Sequence, residues 1–155
     1  MRKEGVAGGI AAERRVFAQR ASLPDHLARH RLADLFLDNI PVNAHTTASD
    51  ALWAGLPVLT ILGDTFVGRV AASLLHAVGL PELIAESPEA YEQMAVDLAT
   101  DPSRLAALKA RLAANRPTAP LFDTKRFTRH IEAAYTAMYR RHQAGLAPDH
   151  IDVPA

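Results

Sequence analysis

The sequence predicts an α/β domain organised around a doubly wound parallel sheet. Three observations predict it. Short apolar runs alternate with helical stretches over the first two thirds of the chain. The clearest run, Val58-Leu59-Thr60-Ile61-Leu62, is almost wholly apolar, as a strand covered on both faces must be. And 155 residues with 49% apolar content suffice for one domain with a real core, which excludes a disordered chain.

Taken in order, a charged helical opening leads into Arg15-Val16-Phe17-Ala18, expected as the first strand. A helix should begin near Pro24, because the first helical turn does not need the N–H that proline lacks. Asp34-Leu35-Phe36-Leu37-Asp38 is the second strand. Thr47 to Ala54 reads as a short helix stopped by Gly55 and Pro57. Val58 to Leu62 is the third strand, Val67 to Val78 a helix closed by Gly79, and Leu83-Ile84-Ala85 a weak fourth strand. Ser87 with Pro88 and Asp101 with Pro102 each supply a cap and a first helical position. The helices they open should run to Thr100 and to just before Pro117. After a loop at Pro120, a long helix spans about Thr124 to Ala144. Its apolar stripe, Phe127, Ile131, Tyr135 and Met138, is expected to pack on the lobe or across a cleft onto a partner lobe. Four strands are few for such a sheet, and the chain reads as entering a sheet already under way.

Composition narrows the function. Without cysteine there is no disulfide framework, thiolate metal site or Cys nucleophile. Seventeen basic residues against 17 acidic ones exclude a uniformly basic nucleic-acid binder. No apolar run is long enough to span a bilayer, and Met1 to Gly5 lacks the apolar core of a signal peptide, so a soluble cytoplasmic domain is expected. The neutral total hides an asymmetry. Residues 1–31 carry net +4, residues 32–101 net −9 and residues 102–155 net +5. An anion site in the acidic middle must therefore use backbone N–H groups, hydroxyls and imidazoles, with help from flanking cations.

The densest cluster of functional side chains is Asn43-Ala44-His45-Thr46-Thr47-Ala48-Ser49-Asp50. It falls at a strand-to-helix turn, on the carboxyl edge where doubly wound folds hold their ligands. Two readings stay open. Thr47-Ala48-Ser49-Asp50 has the form of a self-sufficient capping box. Alternatively, the free N–H groups of the helix start, the hydroxyls of Thr46 and Thr47, and His45 hold a phosphate, with Asp50 accepting from ribose. His26 and Arg29, three apart on the preceding helix, could lean toward the same crevice or form an ordinary solvated face; His30 and Arg31 read as surface. No His or Glu spacing suggests a metal. No Gly-x-Ser-x-Gly, Gly-x-Gly-x-x-Gly or Walker loop is present.

The string from His26 to Asp38, followed by His45-Thr46-Thr47-Ala48-Ser49-Asp50-Ala51-Leu52-Trp53-Ala54-Gly55-Leu56-Pro57, Gly63-Asp64-Thr65-Phe66 and Arg69 to Ser73, resembles the C-terminal catalytic lobe of O-linked N-acetylglucosamine transferases and their SPINDLY-type relatives. The likeness runs from about Arg15 to His150. It implies a GT-B enzyme of two Rossmann-like lobes, of which this chain is the C-terminal one, truncated at its N-terminus. On that basis residues 1–120 form a partial nucleotide-sugar-binding lobe, 121–145 a C-terminal helix and 146–155 a frayed tail. The resemblance further implies UDP-N-acetylglucosamine as donor, no metal, and protein Ser or Thr as acceptor, with GDP-fucose the alternative donor. Ala21 would meet the base through its backbone, His26 and Arg29 would face the uracil, His45, Thr46 and Thr47 would hold the diphosphate, and Asp50 the ribose. No catalytic residue is expected in this chain; the general base, a phosphate-binding lysine and the tetratricopeptide repeats belong to the missing parts. Leu23 stands where many relatives place a lysine.

Overall fold

The structure is a computed structural model and describes residues 8–153. The charged helical opening and the signal-peptide reading rest on positions that lie largely or wholly outside the described residues, as do the last two positions of the tail. Six α-helices and three strands follow one another: α1 (Leu23–Arg29), β1 (Phe36–Leu37), α2 (Thr46–Trp53), β2 (Val58–Ile61), α3 (Val70–Val78), β3 (Ile84–Ala85), α4 (Pro88–Thr100), α5 (Pro102–Asn115) and α6 (Thr124–Gln143). The strands pair in chain order and all run parallel, with Phe36 opposite Val58 and Thr60 opposite Ile84. The parallel α/β architecture predicted from the alternation is the one observed.

β2 is the centre of the molecule. All four of its residues are buried, because strands flank it on both edges and helices cover it. Val58 and Leu59 join Ala48, Ala51 and Leu52 of α2, Ala71, Leu75 and Val78 of α3, Leu98 of α4 and Leu112 of α5 in one apolar cluster. Burying a leucine or valine side chain in such a cluster contributes roughly 1.5–3 kcal/mol. The helix boundaries follow the local signals. Gly55 and Gly79 both take positive φ, 88° and 74°, where a side chain would be strained, and they end α2 and α3.

One expectation fails. Residues 15–18 form no strand: Val16 is 90% exposed and Phe17 44%. A β-rich run becomes a strand only beside a neighbour, and the sheet of the described residues ends at β1. The stripe on α6 is largely uncovered among the described residues. Phe127, Tyr135 and Met138 are each more than half exposed, and α6 lies chiefly against the Pro120–Phe122 turn. Its other sequence signals hold: Asp123 accepts a hydrogen bond from the N–H of Arg126 and so caps the helix. No helix among the described residues is long and apolar enough to cross a membrane.

Candidate functional site

The crossover from β1 to α2 builds the candidate site. β1 ends at Asp38, a carboxylate only 7% exposed. Its Oδ1 accepts from the N–H groups of Asn39 (2.8 Å) and Ala44 (2.6 Å), and its Oδ2 from the Thr60 hydroxyl of β2 (2.7 Å). Three donors satisfy the buried charge, as burial requires. They also clamp both ends of the loop 39–44 to the end of β1. Tyr91 of α4 donates its hydroxyl to the Asp38 carbonyl at 3.0 Å. Burial, aided by the nearby Asp38 charge, raises the Tyr91 phenol above its ordinary range.

A second loop braces the first. The Asn43 N–H donates to the Val67 carbonyl at 2.9 Å, and the Gly63 N–H to the Gly68 carbonyl at 2.8 Å. A Cβ on Gly68 would meet the Pro41 carbonyl oxygen at 3.1 Å and the Gly63 Cα at 3.3 Å. A side chain on Gly68 would therefore crowd the Pro41 carbonyl where these two carboxyl-edge loops meet.

The clamp delivers His45 as the N-cap of α2, with φ −102° and ψ −91° and no side-chain capping hydrogen bond. The first intrahelical acceptor is the His45 carbonyl, taken by the Ser49 N–H at 3.0 Å. The N–H groups of Thr46, Thr47 and Ala48 therefore have no partner among the described residues. Thr46 and Thr47 are exposed, as the first two residues of the helix. This overturns the capping-box reading: Thr47 lies inside the helix, two residues past the cap position held by His45. Beside them the His45 ring packs edge-on to Phe66, centroids 6.4 Å apart, and its Nε2 is buried with no partner. The Oδ1 of Asn43 is buried and unpartnered as well. Asp50, half-buried one turn further along α2, bonds nothing through its carboxylate. A helix start with unpartnered N–H groups and two exposed hydroxyls has the chemistry to hold an anion.

His26 and Arg29 form a second group. Two Arg29 N–H groups converge on His26 Nδ1, Nη2 at 2.7 Å and Nε at 3.2 Å, while Nη1 donates to the Gln19 carbonyl at 2.7 Å. Arg29 thus ties α1 to the extended segment that carries the exposed Ala21. His30, expected at the surface, is half-buried with its ring 4.7 Å from that of His26. No hydrogen bond or ring contact joins this group to His45, Thr46, Thr47 or Asp50 among the described residues. His76 and Ser73 are exposed on α3, and Arg69 donates to the Gly63 carbonyl at 3.4 Å. No group of three His, Cys, Asp or Glu among the described residues could hold a metal ion. A cavity of about 430 Å³ opens at the amino edge between Asp34, Leu35, Leu98, Pro102, Leu105 and Lys109, and contains none of the candidate residues.

Sequence reasoning missed Asp38, Thr60 and Tyr91. The buried carboxylate at a strand end was the visible signal, but its partners lie 22 and 53 residues away.

Comparison with known proteins gives a consistent result. Residues 1–131 match the sequence model of glycosyl transferase family 41. The chain is 38% identical over 151 residues to the UDP-N-acetylglucosamine–peptide N-acetylglucosaminyltransferase of Caenorhabditis elegans, covering 97% of this chain and 13% of that protein. It is 40% identical over 153 residues to the probable enzyme of the same description, SEC, of Arabidopsis thaliana, covering 98% and 16% respectively. The probable enzyme SPINDLY of rice, Oryza sativa subsp. japonica, is 38% identical over 124 residues. An O-GlcNAc transferase mutant from Thermobaculum terrenum superposes with a TM-score of 0.81 at 34% identity, covering 88% of this chain and 26% of that one. The chain thus spans between an eighth and a sixth of the length of the first curated relatives it matches.

Proposed function

The chain belongs to glycosyl transferase family 41, and from that premise we propose that it is the donor-binding part of a protein O-glycosyltransferase. The donor is UDP-N-acetylglucosamine and the acceptor a peptide, as the names of its relatives indicate for them, and we assign the acceptor group to a Ser or Thr hydroxyl. One observation carries the reading: the start of α2 leaves the N–H groups of the exposed Thr46 and Thr47 unpartnered beside their hydroxyls, with a buried, unpartnered His45 Nε2 next to them. We assign the diphosphate to His45, Thr46 and Thr47, the ribose to Asp50, and the base to His26, Arg29 and the backbone of Ala21.

The chemistry follows from where charge develops. As the sugar bond breaks, negative charge gathers on the β-phosphate of departing UDP. Donors already aimed at that position stabilise it without reorganising, and the helix dipole adds to them. The acceptor hydroxyl must also lose a proton, and we assign that step to a general base on the remainder of the longer protein. On this reading the chain alone binds donor and does not turn it over.

Two measurements test this. Calorimetric titration of the purified chain with UDP should show saturable binding that the paired substitutions Thr46→Ala and Thr47→Ala weaken. In a full-length relative the same pair should lower kcat by about 10²-fold, the usual effect of losing an oxyanion donor. Unchanged UDP affinity and turnover would refute the assignment.

A further inference from the structure

Asp38 is held at every polar group it has. The β1–β2 ladder ends with its N–H, which donates to the Leu59 carbonyl at 3.0 Å. Its carboxylate takes the Thr60 hydroxyl and the N–H groups of Asn39 and Ala44. Its carbonyl lies beyond the last paired residue of β1 and accepts from the Tyr91 hydroxyl at 3.0 Å, across 53 residues of chain. Tyr91 is itself firmly placed. Its N–H donates to the Ser87 carbonyl at 2.9 Å in the capped first turn of α4, and its half-buried ring packs against the apolar cluster. A ring so held aims its hydroxyl with little further loss of conformational freedom. Burial keeps the phenol above its ordinary range, so the hydroxyl stays a donor well into alkaline conditions.

The carbonyl that Tyr91 holds belongs to the peptide link between Asp38 and Asn39. The same link carries the Asn39 N–H that closes on Asp38 Oδ1. Because a peptide unit is planar, fixing its oxygen also fixes its N–H. From this link the chain runs to Asn43 and Ala44, tied to the Val67 carbonyl and the Asp38 carboxylate, and then directly to His45. We propose that Tyr91 is a positioning residue of the α2 turn: it holds the plane of the Asp38–Asn39 peptide, which keeps the loop 39–44 seated and with it the N–H groups of Thr46 and Thr47. This rests on the donor-site reading above, which gives those groups to the diphosphate. No hydrogen bond joins Tyr91 to a residue assigned to the donor among the described residues. Its influence passes through Asp38.

The test compares Tyr91→Phe with Ser87→Ala in the purified chain. Tyr91→Phe keeps the ring and deletes only the hydroxyl. Ser87→Ala weakens the cap of the same helix and leaves the Asp38 carbonyl its partner. Tyr91→Phe should speed amide exchange at Asn39 and Ala44 at least about threefold and weaken UDP binding by about threefold to tenfold, the effect of one lost hydrogen bond. Ser87→Ala should do neither. Tyr91→p-aminophenylalanine, which returns a donor to the same place, should restore both readouts to within about twofold of the native chain, a recovery that ring packing alone would not give. No change in Tyr91→Phe, a change in only one readout, equal changes in Ser87→Ala, or a loss that the amino group does not rescue each overturns the inference while leaving the donor site standing. Failure of the native chain to bind UDP at millimolar concentration overturns the donor-site reading and the positioning role with it.

Discussion

The starts of α2 and α4 have opposite chemistry. At α4 the Ser87 hydroxyl accepts from the Ala90 N–H at 3.1 Å, and Pro88 removes another N–H that would need a partner. The same solution recurs at α1, α5 and α6, through Ser22, Asp101 and Asp123. α3 has no side-chain cap of its own but continues a short turn that Thr65 caps. At α2, by contrast, His45 leaves three N–H groups bare although threonines stand beside it. The four capping residues have positive ψ, between 83° and 160°, whereas His45 has ψ −91°, away from the extended geometry that lets a side chain fold back. On the proposed reading, the donor's diphosphate takes the place of the cap that α2 lacks.

The largest effect should come from Asp38, which sets up that difference. Asp38→Ala strands two N–H groups and the Thr60 hydroxyl and should destabilise the fold by about 3 kcal/mol, measured by denaturant unfolding. Breaking the contrast from the α2 side is more selective. His45→Asp brings a carboxylate to the anion site and should lower UDP affinity at least about tenfold, with thermal stability changed by less than about 1 kcal/mol. The converse substitution, Ser87→Ala, should cost about 1 kcal/mol of stability and leave UDP affinity unaltered.

Acid sharpens the comparison further, by the smallest effect. Asp101 is held below its ordinary range by the Ser103 hydroxyl and the Arg104 N–H, and Glu89 by backbone N–H bonding and the Ser87 hydroxyl. A lowered carboxylate pKa stabilises the fold above the unfolded value and ceases to do so as pH falls through the folded one. Amide protection at the starts of α4 and α5 should therefore decline below about pH 4, with no matching loss at the start of α2, whose first turn has no carboxylate.

Most of this was legible locally. Ser87-Pro88 and Asp101-Pro102 mark two helix starts correctly because a cap acts within three residues of itself. The apolar run of β2 announces burial on both faces. What failed depended on distant partners. Val16 and Phe17 have strand composition but no adjacent strand in the described sheet. The site shows the same division. The His-Thr-Thr turn was visible as a pattern, yet whether Thr47 capped the helix hung on one backbone torsion at His45, which Asp38 and the Val67 carbonyl help to set from outside the motif.

The contact between Gly63 and Gly68 sets how this region can change. Because Gly68 also touches the Pro41 carbonyl, the two loops fit together like meshed gears with a hydrogen atom for a tooth. A methyl group grown on Gly68 would press on the Pro41 carbonyl, reaching the loop that leads into the threonine turn from the far side, without touching a residue assigned to the donor.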